Sequence, residues 1–282
     1  QCVKHHVPLA LVNARLSARS LKKGKKLESI MNEAAQGFSV VAAQTRTDAD
    51  RLSQFGAGNI AVTGSVKFDI TPPDEAVEKG KLLKKCIGNR PVLMCASTRD
   101  GEENLILDAL DHLDKRALLL LVPRHPQRFS EVADQIQARK IRMMKRSQLQ
   151  NLSSDIIPDD VRILLGNSMG EMFMYYAACD VAFIGGSLLK LGGQNLIEAS
   201  ALGKPVLIGP HTFNFEAITK DAISAGAAIR IQTASEMMTE ADKLFSQDTS
   251  RSEMGIKAQA FAQNQHGATD RTMALLAPLL EK

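Results

Sequence analysis

Several stretches of the sequence place residues capable of chemistry beside glycines, and one of them has the spacing of a hydrolase nucleophile. In Gly166-Asn-Ser168-Met-Gly170 the serine follows an apolar, strand-like run and precedes a helical pattern, as in the nucleophile turn of serine hydrolases. Histidines and acidic residues later in the chain could complete a triad. However, Ser168 and Glu171 also have the spacing of a helix capping box, and no HGGG-like oxyanion loop accompanies them. A serine hydrolase that uses Ser168 is retained as an alternative function.

The most informative stretch is residues 185–198, which read Gly-Gly-Ser-Leu-Leu-Lys-Leu-Gly-Gly-Gln-Asn-Leu-Ile-Glu. Glycines allow the backbone to approach a ligand closely, and the free amides at the start of the helix expected over Asn195–Leu202 suit a phosphate. Glu198, one turn into that helix, could accept hydrogen bonds from two ribose hydroxyls. The alternative is local capping, with Asn195 as N-cap and Glu198 as its partner. The spacing alone does not decide between the two interpretations.

Polar loops follow other predicted strands as well. Arg124 comes directly after an apolar run, where its planar guanidinium could bind an anion or simply lie in a surface loop. Ser97 and Thr98 follow another predicted strand, and His211 follows a third. Ligands of open α/β sheets bind at the carboxyl ends of strands, so we expect these loops to converge on one polar, anionic ligand.

Two further motifs are better explained by structure than by chemistry. Gly56-Ala-Gly58-Asn-Ile-Ala61 matches a loose dinucleotide-binding pattern, but it precedes a strand instead of following one, so a turn after a helix explains it. Asp48-Ala-Asp50 resembles the metal-binding pair of some sugar transferases, but acidic residues are also favoured in a first helical turn. No histidine pair has zinc-site spacing. We therefore expect neither a metal nor a cofactor.

The charge pattern excludes one class of partner and suggests another. The chain has 35 basic and 31 acidic residues among 282, a net charge of +4, which is too small for a protein that binds nucleic acid through bulk charge. One segment is locally basic without any acidic residue, and it contains Arg15, Arg19, Lys22, Lys23, Lys25 and Lys26. This segment is either a solvated surface or one that meets phosphates or anionic lipid headgroups.

Short apolar runs alternate with amphipathic helical patterns along almost the whole chain, which predicts an α/β fold with parallel sheets covered on both faces. The predicted strands are Leu9–Asn13, Ser39–Ala43, Ile60–Thr63, Val92–Ala96, Leu118–Val122, Val161–Leu165, Val181–Ile184, Val206–Ile208 and Ala228–Ile231. Predicted helices include Glu102–Leu113, Arg128–Arg139, Phe215–Ser224 and Ala268–Leu280. Four scattered cysteines without a CxxC pair indicate free thiols and a reducing compartment.

The pair Pro72-Pro73 predicts an extended linker between two domains. About three strands precede this linker, too few for a complete doubly wound domain, and about six follow it. We therefore divide the chain into 1–70, 71–264 and a terminal helix over 265–282 that could pack back on the first part. Because residue 1 is not methionine, we also expect the chain to be a fragment of a longer protein. The longest apolar run is far shorter than the ~18 residues of a membrane span.

Six motifs, in order along the chain, resemble one family. They are VNARLS (12–17), VTGSVKFD (62–69), ASTRDGEE (96–103), PRHPQRF (123–129), NSMGEM (167–172) and FIGGSLLKLGGQNLIEASALGKPVLIGPHTFNF (183–215). The family is that of the Kdo transferases, which move 3-deoxy-D-manno-octulosonic acid (Kdo) from CMP-Kdo to the lipid A precursor. The resemblance implies a GT-B-like fold: a complete C-terminal Rossmann-like domain that binds the donor, preceded by the truncated end of the N-terminal acceptor domain.

The resemblance also implies which residues contact CMP. They are Pro123, Arg124, Met169, Gly170, Glu171, Asn195, Leu196, Ile197 and Glu198, with possible support of the donor from Ser97, Thr98, Gly192, Gly193, Gln194 and His211. The sequence departs from the family pattern in three places, because Asn167 replaces a usual aspartate, Gln194 replaces a histidine, and Arg99 replaces a common histidine. Glutamine cannot titrate, so a proton-transfer role at position 194 is in doubt.

The family's proposed general base lies before the VNARLS strand, outside this chain. The resemblance therefore implies an inverting, metal-independent transferase whose fragment binds the donor but does not transfer sugar. It further implies a lipid A precursor as acceptor, an anionic membrane surface as partner, and a location on the cytoplasmic side of the inner membrane for the whole protein, the fragment itself being soluble. A non-catalytic nucleotide-binding module is the other alternative.

Overall fold

A computed structural model of the chain describes residues 2–280. It divides into two compact units, one formed by the chain up to Ile70 together with the segment from Asn264 onward, and the other by Thr71–Gln263. Each unit is a parallel α/β structure, so the predicted fold class is confirmed. No helix within residues 2–280 is both long enough and apolar enough to cross a membrane.

The first unit is built on a three-stranded parallel sheet. Its elements in chain order are β1 (Ala10–Ala14), α1 (Ala18–Gly24), α2 (Glu28–Gln36), β2 (Val40–Ala43), α3 (Arg46–Ser53) and β3 (Ile60–Val62), followed at the end of the chain by the terminal helix (Ala268–Leu280). The strand order is β1-β2-β3, and β2 is buried along its whole length. The terminal helix is held by Asp69, whose carboxylate accepts hydrogen bonds from the amides of Gly267, Ala268 and Thr269.

The second unit is a seven-stranded parallel sheet with helices along the chain between its strands. Its elements are α4 (Asp74–Ile87), β4 (Val92–Thr98), α5 (Glu102–Asp108), β5 (Leu118–Pro123), α6 (Phe129–Ala138), β6 (Met143–Lys145), β7 (Ile163–Leu165), α7 (Met172–Ala178), β8 (Val181–Ile184), α8 (Ile197–Ala201), β9 (Val206–Ile208), α9 (Glu216–Ser224), β10 (Ala228–Arg230), α10 (Ala234–Ser246) and α11 (Asp248–Asn264). The order across the sheet is β10-β9-β8-β4-β5-β7-β6.

The central strands are apolar throughout because both faces of the sheet are covered. Every residue of β4 and of β5 is buried. Side chains from these strands pack with Ile106 of α5, Ile136 of α6 and Met237 of α10 in one hydrophobic core. This packing fixes the positions at which the strands end, and hence the positions of the loops that follow.

The strand order places a topological switch point between β4 and β8. From β4 the chain builds β5, β6 and β7 on one side of the sheet, and then crosses to build β8, β9 and β10 on the other. Loops leaving the carboxyl ends of β4 and β8 diverge at such a point and leave a crevice that serves as the usual ligand site of open α/β sheets.

Candidate functional site

Five loops leave the carboxyl edge of the seven-stranded sheet and carry the residues that the sequence singled out. We call them by the strand they follow: L4 (99–101), L5 (124–125), L7 (166–171), L8 (185–196) and L9 (209–215). In the sheet they stand in the order L9, L8, L4, L5, L7. With strands about 4.8 Å apart, L7 and L8 begin roughly 14 Å from each other, with L4 and L5 between them.

Arg124 of L5 is held by its backbone, while its side chain is exposed. Its amide donates to the carbonyl of Thr98 at the end of β4, at 2.9 Å. Among residues 2–280, no carboxylate oxygen lies within 4.0 Å of its guanidinium. An arginine fixed at its Cα and without an ion-pair partner is well suited to bind an anionic ligand, since its planar donors remain available.

Glu198 of α8 lies within electrostatic reach of Arg124. Burial raises the pKa of the Glu198 carboxyl, and the Arg124 charge opposes that rise. Burial also raises the pKa of the fully buried Tyr176 phenol, and the Glu198 charge adds to this effect. Two predicted CMP contacts from separate segments, Arg124 and Glu198, are thus brought into one electrostatic environment.

L8 ends in a run of backbone amides that have no acceptor. Within the described part of the chain, the N–H groups of Gln194, Asn195 and Leu196 donate no hydrogen bond, although Leu196 is completely buried. A buried, unpaired amide is rare in proteins because it forfeits its hydrogen bond to water. Three consecutive amides without acceptors, of which only that of Leu196 belongs to a buried residue, are donors that suit an anion such as a phosphate.

The helix after L8 begins later than predicted, so the capping interpretation of this segment needs correction. It runs over Ile197–Ala201 instead of Asn195–Leu202, with Leu196 at the N-cap position. The Asn195 side chain accepts a hydrogen bond from the amide of Ile197, at 3.1 Å, in a local turn. Glu198 forms no capping hydrogen bond in the described structure, so its carboxylate remains free for a ligand.

Glycines in L8 serve backbone packing as much as access for a ligand. A Cβ on Gly185 would lie 2.6 Å from the carbonyl oxygen of Ser97, so this position has no room for a side chain. Gly193 has a φ of +75° and donates to the carbonyl of Gly186 at 2.6 Å, which closes the loop on itself. Gly192 accepts from the amide of Asn214, and this bond ties L8 to L9.

The polar side chains of L7 hydrogen-bond with one another instead of capping a helix. The Ser168 hydroxyl bonds to the Glu171 carboxylate and to the Tyr175 hydroxyl, and Arg146 donates to Glu171 at 2.9 Å. The predicted capping box is therefore wrong: α7 begins at Met172, and no Ser168 backbone cap forms. Burial raises the pKa of the Tyr175 phenol.

This network also argues against a serine nucleophile. Ser168 has no histidine hydrogen-bond partner within residues 2–280, and its hydroxyl already donates to a carboxylate. A triad needs a general base bonded to the serine and oriented by a third group. The amides of Met169, Gly170 and Glu171 have no protein acceptor in the described residues, and Met169 is 66% exposed. In L7 the groups available to bind a ligand are therefore these backbone amides and not the Ser168 hydroxyl.

The remaining predicted donor-site residues lie at the end of β4 and in L9. Thr98 is fully buried, and its hydroxyl donates to Glu103 at 2.9 Å, so the side chain contributes to the wall and not to a ligand contact. Ser97 has a φ of +54° at the end of β4. His211 is half-buried, and its amide donates to the carbonyl of Ser187, which links L9 to L8.

Three groups that hold these loops, two of them fully buried, were not predicted from the sequence. Glu102 and Glu103, which have the pattern of exposed acids in a first helical turn, are both 0% exposed. Glu103 pairs with Arg128 at 3.2 Å, and burial raises the pKa of its carboxyl. Arg146, after a strand that was not predicted, orients Glu171. No local signal in the sequence marks the two acids at the start of α5 as buried.

Outside the crevice, the structural interpretations of the two weaker motifs agree with the coordinates. Asp48 is buried in α3 and accepts a hydrogen bond from the amide of Leu16, while Asp50 pairs with Arg46 on the surface. Gly56 has a φ of +77° in the turn after α3. Within residues 2–280, no group of three or more histidine, cysteine or acidic side chains is arranged to hold a metal ion.

Comparison with known proteins gives the family. A family model described as 3-deoxy-D-manno-octulosonic-acid transferase (kdotransferase) matches residues 1–70. The C-terminal CMP-Kdo binding domain of WaaA from Acinetobacter baumannii is 31% identical, with a TM-score of 0.62 over 67% of this chain and 98% of that domain. The chain belongs to the Kdo transferase family.

Two relatives agree with this assignment, and a distant structural neighbour shares the fold. A 3-deoxy-D-manno-octulosonic acid transferase from Bordetella pertussis is 44% identical over 96% of this chain, and one from Haemophilus influenzae is 33% identical over all of it. The chain spans 63% and 66% of the lengths of these two relatives. Anabaena Alr3699/HepE, solved with UDP, is 17% identical with a TM-score of 0.63 over 100% of this chain and 74% of its own, a likeness of fold alone.

Proposed function

We propose that this chain is the donor-binding part of a Kdo transferase, which moves Kdo from CMP-Kdo to the lipid A precursor. One observation carries the proposal: within the described residues, the amides of Gln194–Leu196 have no acceptor, and at the same sheet edge Arg124 has no ion-pair partner and the Glu198 carboxylate no hydrogen-bond partner. The 31% identity to a domain described as binding CMP-Kdo supports the choice of nucleotide.

In the proposed complex each part of CMP meets a different loop. The phosphate accepts hydrogen bonds from the amides of Gln194, Asn195 and Leu196, and the Arg124 guanidinium adds a charge-assisted donor. Glu198 accepts from the ribose hydroxyls. Pro123 and the amides of Met169, Gly170 and Glu171 then face the base, with Ile197 buried behind the phosphate site.

The proposed reaction is a direct displacement with inversion at the anomeric carbon. A base on the acceptor side takes the proton of an acceptor hydroxyl, whose oxygen bonds to the anomeric carbon as the bond from that carbon to the CMP phosphate oxygen breaks. The leaving phosphate gains negative charge in the transition state. The amides of L8 and Arg124 are already oriented toward that charge, so no metal is needed to stabilise it.

We propose that the basic segment of the first unit binds the anionic membrane surface on which the acceptor lies, on the cytoplasmic side of the inner membrane. All six of its lysines and arginines are exposed, and in the described residues none is in an ion pair. Leu27 and Ile30, at the end of the segment, are 60% and 62% exposed. Each basic residue near such a surface contributes about 1 kcal/mol, and the exposed apolar side chains can enter the headgroup region.

The chain itself should bind the donor without turning it over, because the proposed base lies outside it. The test compares thermal unfolding with CMP, UMP and GMP. A nucleotide at 100 times its dissociation constant stabilises the folded state by about 2.7 kcal/mol, a shift of several degrees. CMP should shift the unfolding temperature most. Equal shifts with all three nucleotides, or Kdo transfer by the purified chain, would contradict the proposal.

A further inference from the structure

The fully buried Glu102 links two loops of the crevice through backbone hydrogen bonds. One carboxylate oxygen accepts from the amides of Arg99 in L4, at 2.9 Å, and of Gly186 in L8, at 2.6 Å. The other oxygen accepts from the amide of Leu188, also in L8, at 2.9 Å. The loops that diverge at the switch point between β4 and β8 are therefore joined by one side chain.

Glu102 differs from its neighbour Glu103 in what compensates its burial. Glu103 bonds to the Thr98 hydroxyl and to the Arg128 guanidinium. No basic group lies within 4.0 Å of the Glu102 carboxylate among residues 2–280, so three amides supply its hydrogen bonds. Burial of a carboxylate is costly unless its acceptor sites are filled. The arrangement consequently holds those three amides firmly in place.

A short path leads from Glu102 to the unpaired amides. Gly186 donates its N–H to Glu102, and its carbonyl accepts the N–H of Gly193 at 2.6 Å. Directly after Gly193 come Gln194, Asn195 and Leu196, whose amides have no acceptor in the described chain. Glu102 therefore holds Gly186, and Gly186 holds Gly193, the residue directly before the three unpaired amides of the described chain.

The geometry points to Glu102 as a positioning residue that preorganises the phosphate-binding amides of L8. This inference rests on the proposed function, in which those amides bind the CMP phosphate. By occupying the amides of Gly186 and Leu188, the carboxylate prevents them from turning toward the ligand and leaves the later amides of the loop facing it. Without Glu102, L8 would have to be ordered when the nucleotide binds, and the binding energy would fall accordingly.

The test is Glu102→Gln, measured by calorimetric titration of the chain with CMP and with cytidine. Glutamine has the same size as glutamate, but its side-chain nitrogen is a donor and would face at least one backbone N–H, which is also a donor. At least one of the three hydrogen bonds to residue 102 is therefore lost. We expect CMP to bind about tenfold more weakly and cytidine, which has no phosphate, to change by less than about twofold. The matched control is Asp242→Asn, since Asp242 also accepts a backbone amide, that of Asp114 before β5, away from these loops.

The outcomes separate this inference from the proposed function. If the unmodified chain fails to bind CMP, the proposed function is contradicted. If it binds CMP and Glu102→Gln binds it equally well, or loses CMP and cytidine affinity alike, the positioning role of Glu102 is wrong while the function stands. Should Glu102→Gln not fold, amide hydrogen exchange of the unmodified chain decides: Gly186 and Leu188 must be protected without ligand, and rapid exchange there would overturn the inference.

Discussion

L7 and L8 are both strand-to-helix connections with glycines and a serine, yet they are held in place by different groups. In L7 the polar side chains bond to one another, through Ser168, Glu171, Tyr175 and Arg146. In L8 the backbone is bonded at Gly186, Leu188 and Gly193, and the amides that follow are left without acceptors. Both loops leave three consecutive amides without acceptors in the described residues, but L7 adds a closed network of side chains, whereas the backbone of L8 is held by Glu102.

The difference arises from the residues that surround each loop. Tyr175 and Arg146 lie outside L7 and take up the hydrogen-bonding capacity of Ser168 and Glu171, so a motif with hydrolase spacing becomes structural. L8 is held from outside by Glu102, which occupies the first amides and not the last. A loop can bind a ligand through the hydrogen-bonding groups that have no partner in the protein, and a short sequence motif does not reveal which groups those are.

The largest effect should come from Arg124→Ala, which removes the exposed guanidinium that we propose binds the CMP phosphate. Hydrogen bonds to charged groups contribute about 1.5–3 kcal/mol, so CMP affinity should fall by roughly 10- to 100-fold in titration calorimetry. Arg116→Ala, which removes an exposed arginine paired with Asp114, is the control and should bind CMP like the unmodified chain. Equal affinity of both variants would mean that Arg124 does not contact the nucleotide.

Glu198→Gln tests the ribose contact and should weaken CMP binding by about tenfold. Burial raises the pKa of Glu198 above its ordinary value of 4.5, so the carboxylate is protonated earlier as the pH falls. CMP affinity of the unmodified chain should therefore decrease toward acidic pH more steeply than that of Glu198→Gln. Protonation of the CMP phosphate affects both proteins equally, so comparing their pH profiles isolates the contribution of Glu198.

The contribution of Glu198 to the stability of the free chain changes with pH in the opposite direction to CMP affinity. A pKa raised by burial means that the folded state binds the proton more tightly than the unfolded state does. The contribution of Glu198 to the free energy of unfolding is therefore largest below its ordinary pKa and declines as the pH rises through the raised value. Parallel pH profiles of affinity and stability would contradict this account.

Arg146→Met tests the closed network of L7 through stability. The variant leaves the Glu171 carboxylate without its cation, and we expect the free energy of unfolding to fall by about 2 kcal/mol in denaturant titration. Arg142→Met is the matched control, because Arg142 pairs with Asp160 on the surface, where both side chains are more than half exposed. It should cost less than about 0.5 kcal/mol. Equal losses would show that the network adds nothing beyond a surface ion pair.

Ser168→Ala should have the smallest effect. It removes one hydroxyl from a network in which Arg146 still holds Glu171, so we expect a loss of about 1 kcal/mol or less in the free energy of unfolding and little change in CMP affinity. A fluorophosphonate probe should not label the unmodified chain. Labelling that disappears in Ser168→Ala would favour the serine hydrolase instead.

Much of the fold could be predicted because apolar runs in parallel sheets are distinctive. The bounds Val181–Ile184 and Val206–Ile208 are those of the predicted strands, and the terminal helix Ala268–Leu280 is also as predicted. The edge strand β6 was missed because Met143–Lys145 is short and only half-buried, which leaves no apolar run to detect.

The site could be predicted less completely, since its supports come from distant parts of the chain. Arg124 directly follows a strand and Asn195 ends a glycine-rich loop, so the local sequence alone singles out both positions, and their contact with CMP stays a prediction. Glu102 accepts hydrogen bonds from amides 84 and 86 residues away. Nothing near it in sequence distinguishes a buried carboxylate that holds another loop from an exposed acid at a helix start. Helix starts after L7 and L8 were misplaced because turns formed where caps were expected.

The most direct measurement is a crystal structure of the chain with CMP. We predict that the phosphate lies within hydrogen-bond distance of the amides of Gln194, Asn195 and Leu196, with the Arg124 guanidinium on the same phosphate and Glu198 at the ribose. A nucleotide bound elsewhere, or bound at this edge of the sheet with its phosphate away from those three amides, would contradict the account.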